Sequence, residues 1–215
     1  MNRQLNIFLN LLNNSKIKYW IDSGTLLGLI REGNILNHDK DIDIGIHYND
    51  IKSFIQLIPS IKLHKYRVRY ELYNGDPVKF KMYPNNKNNL RVDINVYKEK
   101  KNEYLFSPLT CFFDYKGFFL KKYQKIIKFF WRKVFKIIET NKFPYNTVKK
   151  NYTWIIPIKY YDNIIYNEKF SCYIFKDSKS YLKYRYGQWE TPQKQWNLFN
   201  DDGGFIKERP ENSEV

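Results

Sequence analysis

Two aspartates separated by a single residue, Asp41 and Asp43, have the residue type and spacing of a metal-binding pair. The six residues that begin at Asp41 alternate polar and apolar side chains, which predicts a β-strand. On a strand, both carboxylates point to one face, while Ile42 and Ile44 point to the other. Two carboxylates so close repel each other, and a bound Mg²⁺ or Mn²⁺ ion removes that cost. The alternative is an exposed polar strand face whose charge is balanced by Lys40.

A third carboxylate, Asp93, lies in another predicted strand, residues 90–97, between Val92 and Ile94. Residues 78–83 form the preceding strand, and the turn between the two predicts a hairpin. If the second strand of this hairpin lies beside the strand of the aspartate pair, Asp93 supplies a third carboxylate to the same site.

The segment upstream of the pair has the pattern of a phosphate-binding strand, turn and helix. Residues 17–21 predict a short strand, Ser23 and Gly24 a turn, and Thr25 the start of a helix that reaches Arg31. Backbone N–H groups at a helix N-terminus bind anions, and an arginine adds a charge-assisted contact. The alternatives are an ordinary turn with a helix cap, and an arginine that is simply solvated.

The other elements needed to position these residues follow from periodicity and from turn-forming residues. Further helices are predicted over residues 3–13, 49–57 (ended by Pro59), 119–139 and 178–186, and a further strand over 68–72. Residues 98–118 are predicted to be rich in loops, and Pro144 and Pro157 bracket an irregular region. This order of strands and helices indicates an α/β (α+β) fold with a helical C-terminal part.

Composition narrows the class of protein without choosing a partner. The 215 residues are 43% hydrophobic and 19% aromatic, which excludes a disordered chain. A net charge of +15 attracts nucleic acid, nucleotides, anionic lipids or phosphorylated glycans alike. Cys111 and Cys172 lack the partners of a structural zinc site and are predicted to be buried thiols. With no signal peptide and no membrane-spanning apolar run, we expect a cytoplasmic protein, or one held peripherally on the cytosolic face of a membrane.

Two further patterns leave alternatives open. The helix 119–139 has an apolar stripe opposite a lysine-rich face, which indicates either a core-facing helix with a solvated side or one that docks on an anionic membrane. Tyr181, Tyr184, Tyr186 and Trp189 indicate either core packing, which the tyrosine-rich composition favours, or an aromatic cage for a quaternary ammonium. Lys79 and Lys81 indicate either contacts with a phosphate or a solvated strand face, of which the solvated face is favoured.

Two segments of the sequence together resemble one known signature. Residues 19–31 read Tyr-Trp-Ile-Asp-Ser-Gly-Thr-Leu-Leu-Gly-Leu-Ile-Arg, and residues 37–45 read Asn-His-Asp-Lys-Asp-Ile-Asp-Ile-Gly. They resemble the signature of the LicD/fukutin-related family, Trp-x-Asp-x-Gly-Thr-Leu-Leu-Gly-x-x-Arg followed by Asp-x-Asp-x-Asp-Ile-Gly. Residues 92–94 and 186–192 agree more weakly. The departures are Asn37 and His38, where the family usually has Pro-Trp, and Lys40, which replaces a common Asp.

The resemblance implies a nucleotidyltransferase-like mixed β-sheet core with flanking helices. It also implies a phosphotransferase that moves a phosphorylated alcohol, such as phosphocholine or ribitol phosphate, from a CDP-linked donor to the hydroxyl of a glycan or glycolipid. Asp41 and Asp43 would be Mg²⁺ ligands, and Asp93 a third ligand or the base for the acceptor hydroxyl. A single LicD-like domain is expected over 1–200, with the core at 15–100, a helical and aromatic part at 101–200, and a loose polar tail at 201–215.

The resemblance also assigns supporting roles to residues around the aspartates. Gly24, Thr25 and Arg31 would hold the donor phosphates, and Asp22 and Asp39 would be supporting polar residues. Tyr186 and Trp189 are expected on the substrate-binding side. Two alternatives stay open: a nucleotidyltransferase that transfers NMP to RNA or protein, and a basic nucleic-acid-binding protein without catalysis, although nucleic acid is the less favoured partner.

Overall fold

A computed structural model describes residues 2–73, 76–86, 88–108, 152–193 and 196–206. The helices in these ranges are α1 (Arg3–Asn13), α2 (Ser23–Glu32), α3 (Ile51–Leu63), α4 (Ile158–Tyr161), α5 (Ser178–Tyr186) and α6 (Leu198–Asp201). The strands are β1 (Tyr19–Ile21), β2 (Asp41–His47), β3 (Tyr66–Tyr73), β4 (Asp76–Pro84), β5 (Arg91–Lys100), β6 (Tyr104–Pro108), β7 (Thr153–Pro157), β8 (Ile164–Asn167), β9 (Cys172–Phe175) and β10 (Phe205–Ile206). The predicted basic helix 119–139 and Cys111 lie outside the described residues.

Eight of these strands form one mixed sheet. Strands β2 and β5 pair in parallel, while β1 joins the far side of β2, and β4 joins β5, both in antiparallel fashion. The end of β5 continues through antiparallel pairs to β6, β7 and β10. The predicted mixed α/β fold is confirmed, and so is the hairpin of β4 and β5.

One face of this sheet carries the hydrophobic core. Its residues are the alternate, fully apolar positions of the three central strands: Ile42, Ile44, Phe80, Met82, Val92 and Ile94, all 2% exposed or less. Helix α3 covers this face, with the ring of Phe54 4.9 Å from that of Phe80. Because side chains alternate along a strand, the remaining positions of β2, β4 and β5 must point to the opposite face. Those positions are the polar ones.

Part of the polar face is closed by an aromatic cluster. Trp20 on β1 lies opposite Gly45 on β2, and a Cβ at Gly45 would come within 2.2 Å of the Trp20 ring. Tyr97, Tyr161 and Phe175 contact the same indole. The glycine therefore lets an aromatic layer cover the sheet just beyond the aspartate pair.

Helices α2 and α3 differ in their bounds from the sequence predictions. Helix α2 begins at Ser23 with Asp22 as its N-cap, two residues before the predicted start. Helix α3 continues through Pro59, where a break was predicted. The proline removes one backbone donor, but Phe54 and Ile61 on either side are both buried, and that packing outweighs the lost hydrogen bond.

The C-terminal part contains strands β7 to β10 in addition to the expected helices, and β6 lies in a stretch that was predicted to be rich in loops. The tail predicted over residues 201–215 is not loose at its start. Asp202 and Phe205 are buried, and β10 pairs with β7. The sequence gives no sign that Asp202 is buried, because the residue that pairs with it, Arg185, lies 17 positions away in the chain.

Cys172 is a free, buried thiol, as the sequence predicts. Among the described residues, no helix is both long enough and apolar enough to cross a bilayer.

Candidate active site

The floor of the site is the polar face of strands β2 and β5. Because the two strands are parallel and in register, Asp41 lies opposite Arg91, and Asp43 lies opposite Asp93. The structure thus brings together the three predicted carboxylates on neighbouring strands. Asn95 follows on the same face and donates a hydrogen bond of 3.3 Å to Asp43.

Two cations lie between these carboxylates. The Nζ of Lys79, on β4, is 2.7 Å from Asp93 Oδ2, and Arg91 Nε is 2.7 Å from Asp93 Oδ1. The Nη2 of Arg91 also reaches Asp41 Oδ2. The solvated-face interpretation was therefore wrong for Lys79, whose side chain is only 15% exposed. For Lys81 the partner is Glu71, at 2.5 Å.

The carboxyl group of Asp43 has a raised pKa. Burial raises the pKa of the Asp43 carboxyl to about 7; Lys79 opposes this rise, and the neighbouring charges of Asp41, Asp93 and Asp22 add to it. The raised pKa means that the protein surroundings stabilise the charged form of Asp43 less well than water does.

The entry to α2 forms the next wall. The carboxylate of Asp22 is fully buried and caps the helix by accepting a hydrogen bond of 2.7 Å from the Ser23 N–H. Ser23 has φ 50°, a left-handed conformation that is strained for a residue with a side chain. Ser23 and Gly24 line the cavity described below. Gly24 also gives room to Asp39, whose Oδ2 would lie 3.1 Å from a Cβ at this position.

Thr25 lies behind this wall and not in it. It is fully buried, and its Oγ1 accepts a hydrogen bond of 2.9 Å from the backbone N–H of Asp43. Thr25 therefore positions the strand that carries the aspartate pair. This hydrogen bond differs from the predicted contact of Thr25 with a donor phosphate.

Asp22 is the centre of a buried network. It accepts hydrogen bonds from the hydroxyls of Tyr97 at 2.7 Å and Tyr181 at 2.8 Å. Arg185 donates to the Tyr181 hydroxyl and forms a bidentate pair with Asp202, both bonds being 2.6 Å long. The network joins α2, β5, α5 and the segment before β10. Tyr181 is therefore a core residue, which is the alternative that the tyrosine-rich composition favours.

The floor opens into a cavity of about 350 Å³. Its opposite wall is aromatic and comes from the C-terminal part of the chain: Trp154, Tyr186, Trp189 and Trp196. Of the four residues considered for an aromatic cage, only Tyr186 and Trp189 line this cavity. Sequence reasoning missed Trp154 and Trp196, because nothing in the local pattern places their segments beside β2.

The remaining polar side chains of the cavity have unused hydrogen-bonding atoms. Arg31 Nη1 donates to the carbonyl of Trp189 at 3.2 Å, which fixes the aromatic wall to α2. Within the described part of the chain, Arg31 Nε, Asp39 Oδ2 and Trp154 Nε1 are buried without a hydrogen-bond partner. Burial also raises the pKa of Asp39. Their hydrogen-bonding capacity is therefore unused in side chains that line the cavity.

The donor set fits a divalent ion held by two carboxylates. Asp41 and Asp43 present oxygens on one face, which is the number of carboxylates that Mg²⁺ commonly takes beside phosphate oxygens and water. Asp93 has both oxygens bonded to Lys79 and Arg91. Accordingly, the described residues contain no group of three or more acidic, histidine or cysteine side chains arranged around a metal position. The role of Asp93 as a third ligand stays a prediction.

Comparison with known proteins adds to this geometry. A family model described as the LicD/FKTN/FKRP nucleotidyltransferase domain matches residues 16–121. The chain is 34% identical over 122 residues to uncharacterized protein RP689 of Rickettsia prowazekii, covering 53% of this chain and 42% of that protein. It is 46% identical over 46 residues to ribitol-5-phosphate transferase FKTN of Homo sapiens, covering 21% of this chain and 10% of that protein. The alignments thus span less than half the length of each relative.

Among solved structures, a similar chain is the lincomycin-bound lincosamide antibiotic adenylyltransferase LnuA. The TM-score is 0.38 at 16% identity, over 51% of this chain and 64% of that chain.

The residues 16–121 that match the family model include α2, β2 and β5, which carry the signature and the carboxylate floor. By this match and by the signature they contain, residues 16–121 form a nucleotidyltransferase domain of the LicD/FKTN/FKRP family.

Proposed function

We propose that this chain is a metal-dependent phosphotransferase that moves a phosphorylated alcohol from a CDP-linked donor to a hydroxyl of a glycan or glycolipid. The observation that carries the proposal is the row of Asp41, Asp43, Arg91 and Lys79 at the floor of one cavity. The volume of that cavity, about 350 Å³, is within the range of small-molecule sites. Family membership and the similarity to a ribitol-5-phosphate transferase support the class of reaction.

Charge balance suits a diphosphate donor. The chemistry that a bound divalent ion supplies is neutralisation of the phosphate charge and of the charge that develops on the leaving CMP. Asp41 and Asp43 would hold that ion. Arg31 and the Gly24 N–H, which the first turn of α2 leaves without an intrahelical acceptor, are the groups that would bind the donor phosphates.

A carboxylate near the reacting atoms must accept the proton of the acceptor hydroxyl. Asp93 is a poor candidate because both of its oxygens are bonded to cations, and its side chain is 1% exposed. Asp39 is better placed, since it lines the cavity and its side chain is 20% exposed. We therefore assign the role of base to Asp39.

The aromatic wall supports a donor with a flat or cationic group. The faces of Trp154, Tyr186, Trp189 and Trp196 suit stacking with a pyrimidine or contact with a quaternary ammonium. Phosphocholine and ribitol phosphate are therefore both reasonable cargoes. A choline group would contact this wall directly, whereas a polyol would depend on the polar atoms of Asp39 and Arg31.

A donor screen tests the proposal. The chain is incubated with CDP-choline, CDP-ribitol, CDP-glycerol and the four NTPs, each with Mg²⁺ or Mn²⁺, and mass spectrometry detects the nucleotide product. We expect release of CMP from at least one CDP-linked donor, and loss of that release in Asp43→Asn. Asp162→Asn, which changes an exposed carboxylate at the end of α4, is the matched control and should keep full activity.

The products separate this function from its alternatives. Release of pyrophosphate from NTPs, with no CMP from any CDP-linked donor, would replace the proposal with nucleotidyl transfer. Salt-sensitive RNA or DNA binding that persists in Asp43→Asn, without turnover of any donor, would replace it with nucleic-acid binding.

A further inference from the structure

The two cations of the floor differ in how firmly the protein holds them. Lys79 and Asp93 form a buried pair, with side chains 15% and 1% exposed. Arg91 and Asp41 form a partly exposed pair in the same cavity, with side chains 34% and 31% exposed. Removing one partner of a buried pair is strongly unfavourable, whereas a partly solvated pair contributes little to stability. The contact between Arg91 and Asp41 is therefore the one that can open at low cost.

Arg91 has an anchor that does not depend on Asp41. Its Nε and Nη2 donate to the two oxygens of Asp93 at 2.7 and 3.1 Å. Because the Nε bond to Asp93 does not involve Asp41, the guanidinium can leave Asp41 while keeping Asp93. It would then point into the cavity that both residues line.

We infer that Arg91 is an internal counter-ion that competes with the divalent metal for Asp41 and is drawn away from it by the phosphates of the donor. The inference rests on the proposed function, because it needs a metal at Asp41 and Asp43 and an anionic donor above them. A cation on Asp41 and a guanidinium on the same oxygen exclude each other by charge and by space. A phosphate offers the guanidinium a bidentate partner of equal quality.

The consequence is thermodynamic coupling between metal and donor. Metal alone must displace Arg91 without compensation, so its affinity is low. When donor phosphates are present they take the guanidinium, and the metal then binds Asp41 freely. By reciprocity, the metal raises the affinity for phosphate by the same factor. Arg91 therefore acts as a positioning residue that makes the complete metal–donor pair bind better than either part.

Mn²⁺ binding to the full chain, followed by the electron paramagnetic resonance signal of free Mn²⁺, tests this inference without measuring turnover. Titrations are made with wild type, Arg91→Ala and Arg67→Ala, each alone and with inorganic pyrophosphate. Arg67 is an exposed arginine on β3, and its substitution controls for the loss of one positive charge. Asp43→Asn identifies the binding that belongs to the site, and circular dichroism confirms that each variant is folded.

We expect Arg91→Ala to bind Mn²⁺ about three- to tenfold more tightly than wild type in the absence of pyrophosphate, with Arg67→Ala unchanged. Pyrophosphate should strengthen Mn²⁺ binding in wild type by a larger factor than in Arg91→Ala. Equal or weaker Mn²⁺ binding by folded Arg91→Ala would overturn the competition, while leaving the proposed function in place. Absence of Mn²⁺ binding in wild type, with and without pyrophosphate, would overturn both.

Discussion

At the scale of single residues, the candidate metal ligand Asp43 lowers the stability of the fold because its carboxyl is buried. Burial raises the pKa of its carboxyl to about 7, compared with an ordinary value near 4. Between these values the folded protein holds a proton that the unfolded chain releases. Stability should therefore fall as the pH rises from about 4 to about 7, and stay reduced above that range.

Asp43→Asn is expected to remove this penalty. At pH 8, without divalent ions, the variant should be more stable than wild type by roughly 1–2 kcal/mol, and at pH 4.5 the difference should nearly vanish. Urea unfolding at the two pH values in the presence of EDTA measures it. A variant that is less stable than wild type at pH 8 would contradict this explanation of the raised pKa.

The same residue should report metal binding through stability. A ligand that binds only the folded state raises the free energy of unfolding, by about 2.7 kcal/mol at one hundred times its dissociation constant. We expect millimolar Mn²⁺ to raise the unfolding midpoint of wild type and to leave that of Asp43→Asn unchanged. A shift of equal size in both proteins would place the ion elsewhere.

At the scale of elements, helix α2 is held in place by hydroxyls that converge on its cap. Tyr97 donates to the buried carboxylate of Asp22, so Tyr97→Phe leaves that carboxylate with one donor fewer. We expect a loss of about 1–3 kcal/mol in the free energy of unfolding, measured with urea.

Tyr66 provides the matched control for this substitution. It is equally buried, but its hydroxyl has no hydrogen-bond partner among the described residues. Tyr66→Phe should therefore be neutral or slightly stabilising. If the two variants lose the same stability, the hydroxyl contact with Asp22 is not what holds α2.

Elements also show what the sequence could and could not predict. The floor is predictable because Asp41 and Asp43 lie two apart on one strand, and the same rule places Arg91 on the same face as Asp93. The burial of Lys79 is not predictable, because alternation along a strand separates two faces without showing which face another part of the chain covers. The cover comes from Trp154 and the residues after α5, and no local pattern encodes a contact over such sequence distances.

At the scale of the whole molecule, a buried ion pair joins the segment before β10 to helix α5. Asp202 and Arg185 bond through both oxygens, and both are buried. Asp202→Ala leaves the arginine charge buried with one partner fewer, and we expect a loss of about 3–5 kcal/mol in the free energy of unfolding. Thermal and urea unfolding measure the loss.

Asp201→Ala is the neighbouring control. Asp201 is exposed and accepts a hydrogen bond from the backbone N–H of Asn197, so its loss should cost about 0.5–1 kcal/mol. Similar losses in the two variants would mean that the buried pair contributes no more than a surface cap.

The aromatic wall and the carboxylate floor come from different parts of the chain. The floor lies within residues 16–121, which match the family model, whereas Trp154, Tyr186, Trp189 and Trp196 follow that match. The carboxylate floor and the aromatic wall, which under the proposed function would contact a pyrimidine or a choline group, thus lie in separable stretches of sequence. Under the proposed function, a chimera that carries another member's residues after 152 on this floor should adopt that member's preference between choline-containing and polyol-containing donors. Its CMP release should still depend on the divalent ion that Asp41 and Asp43 would hold.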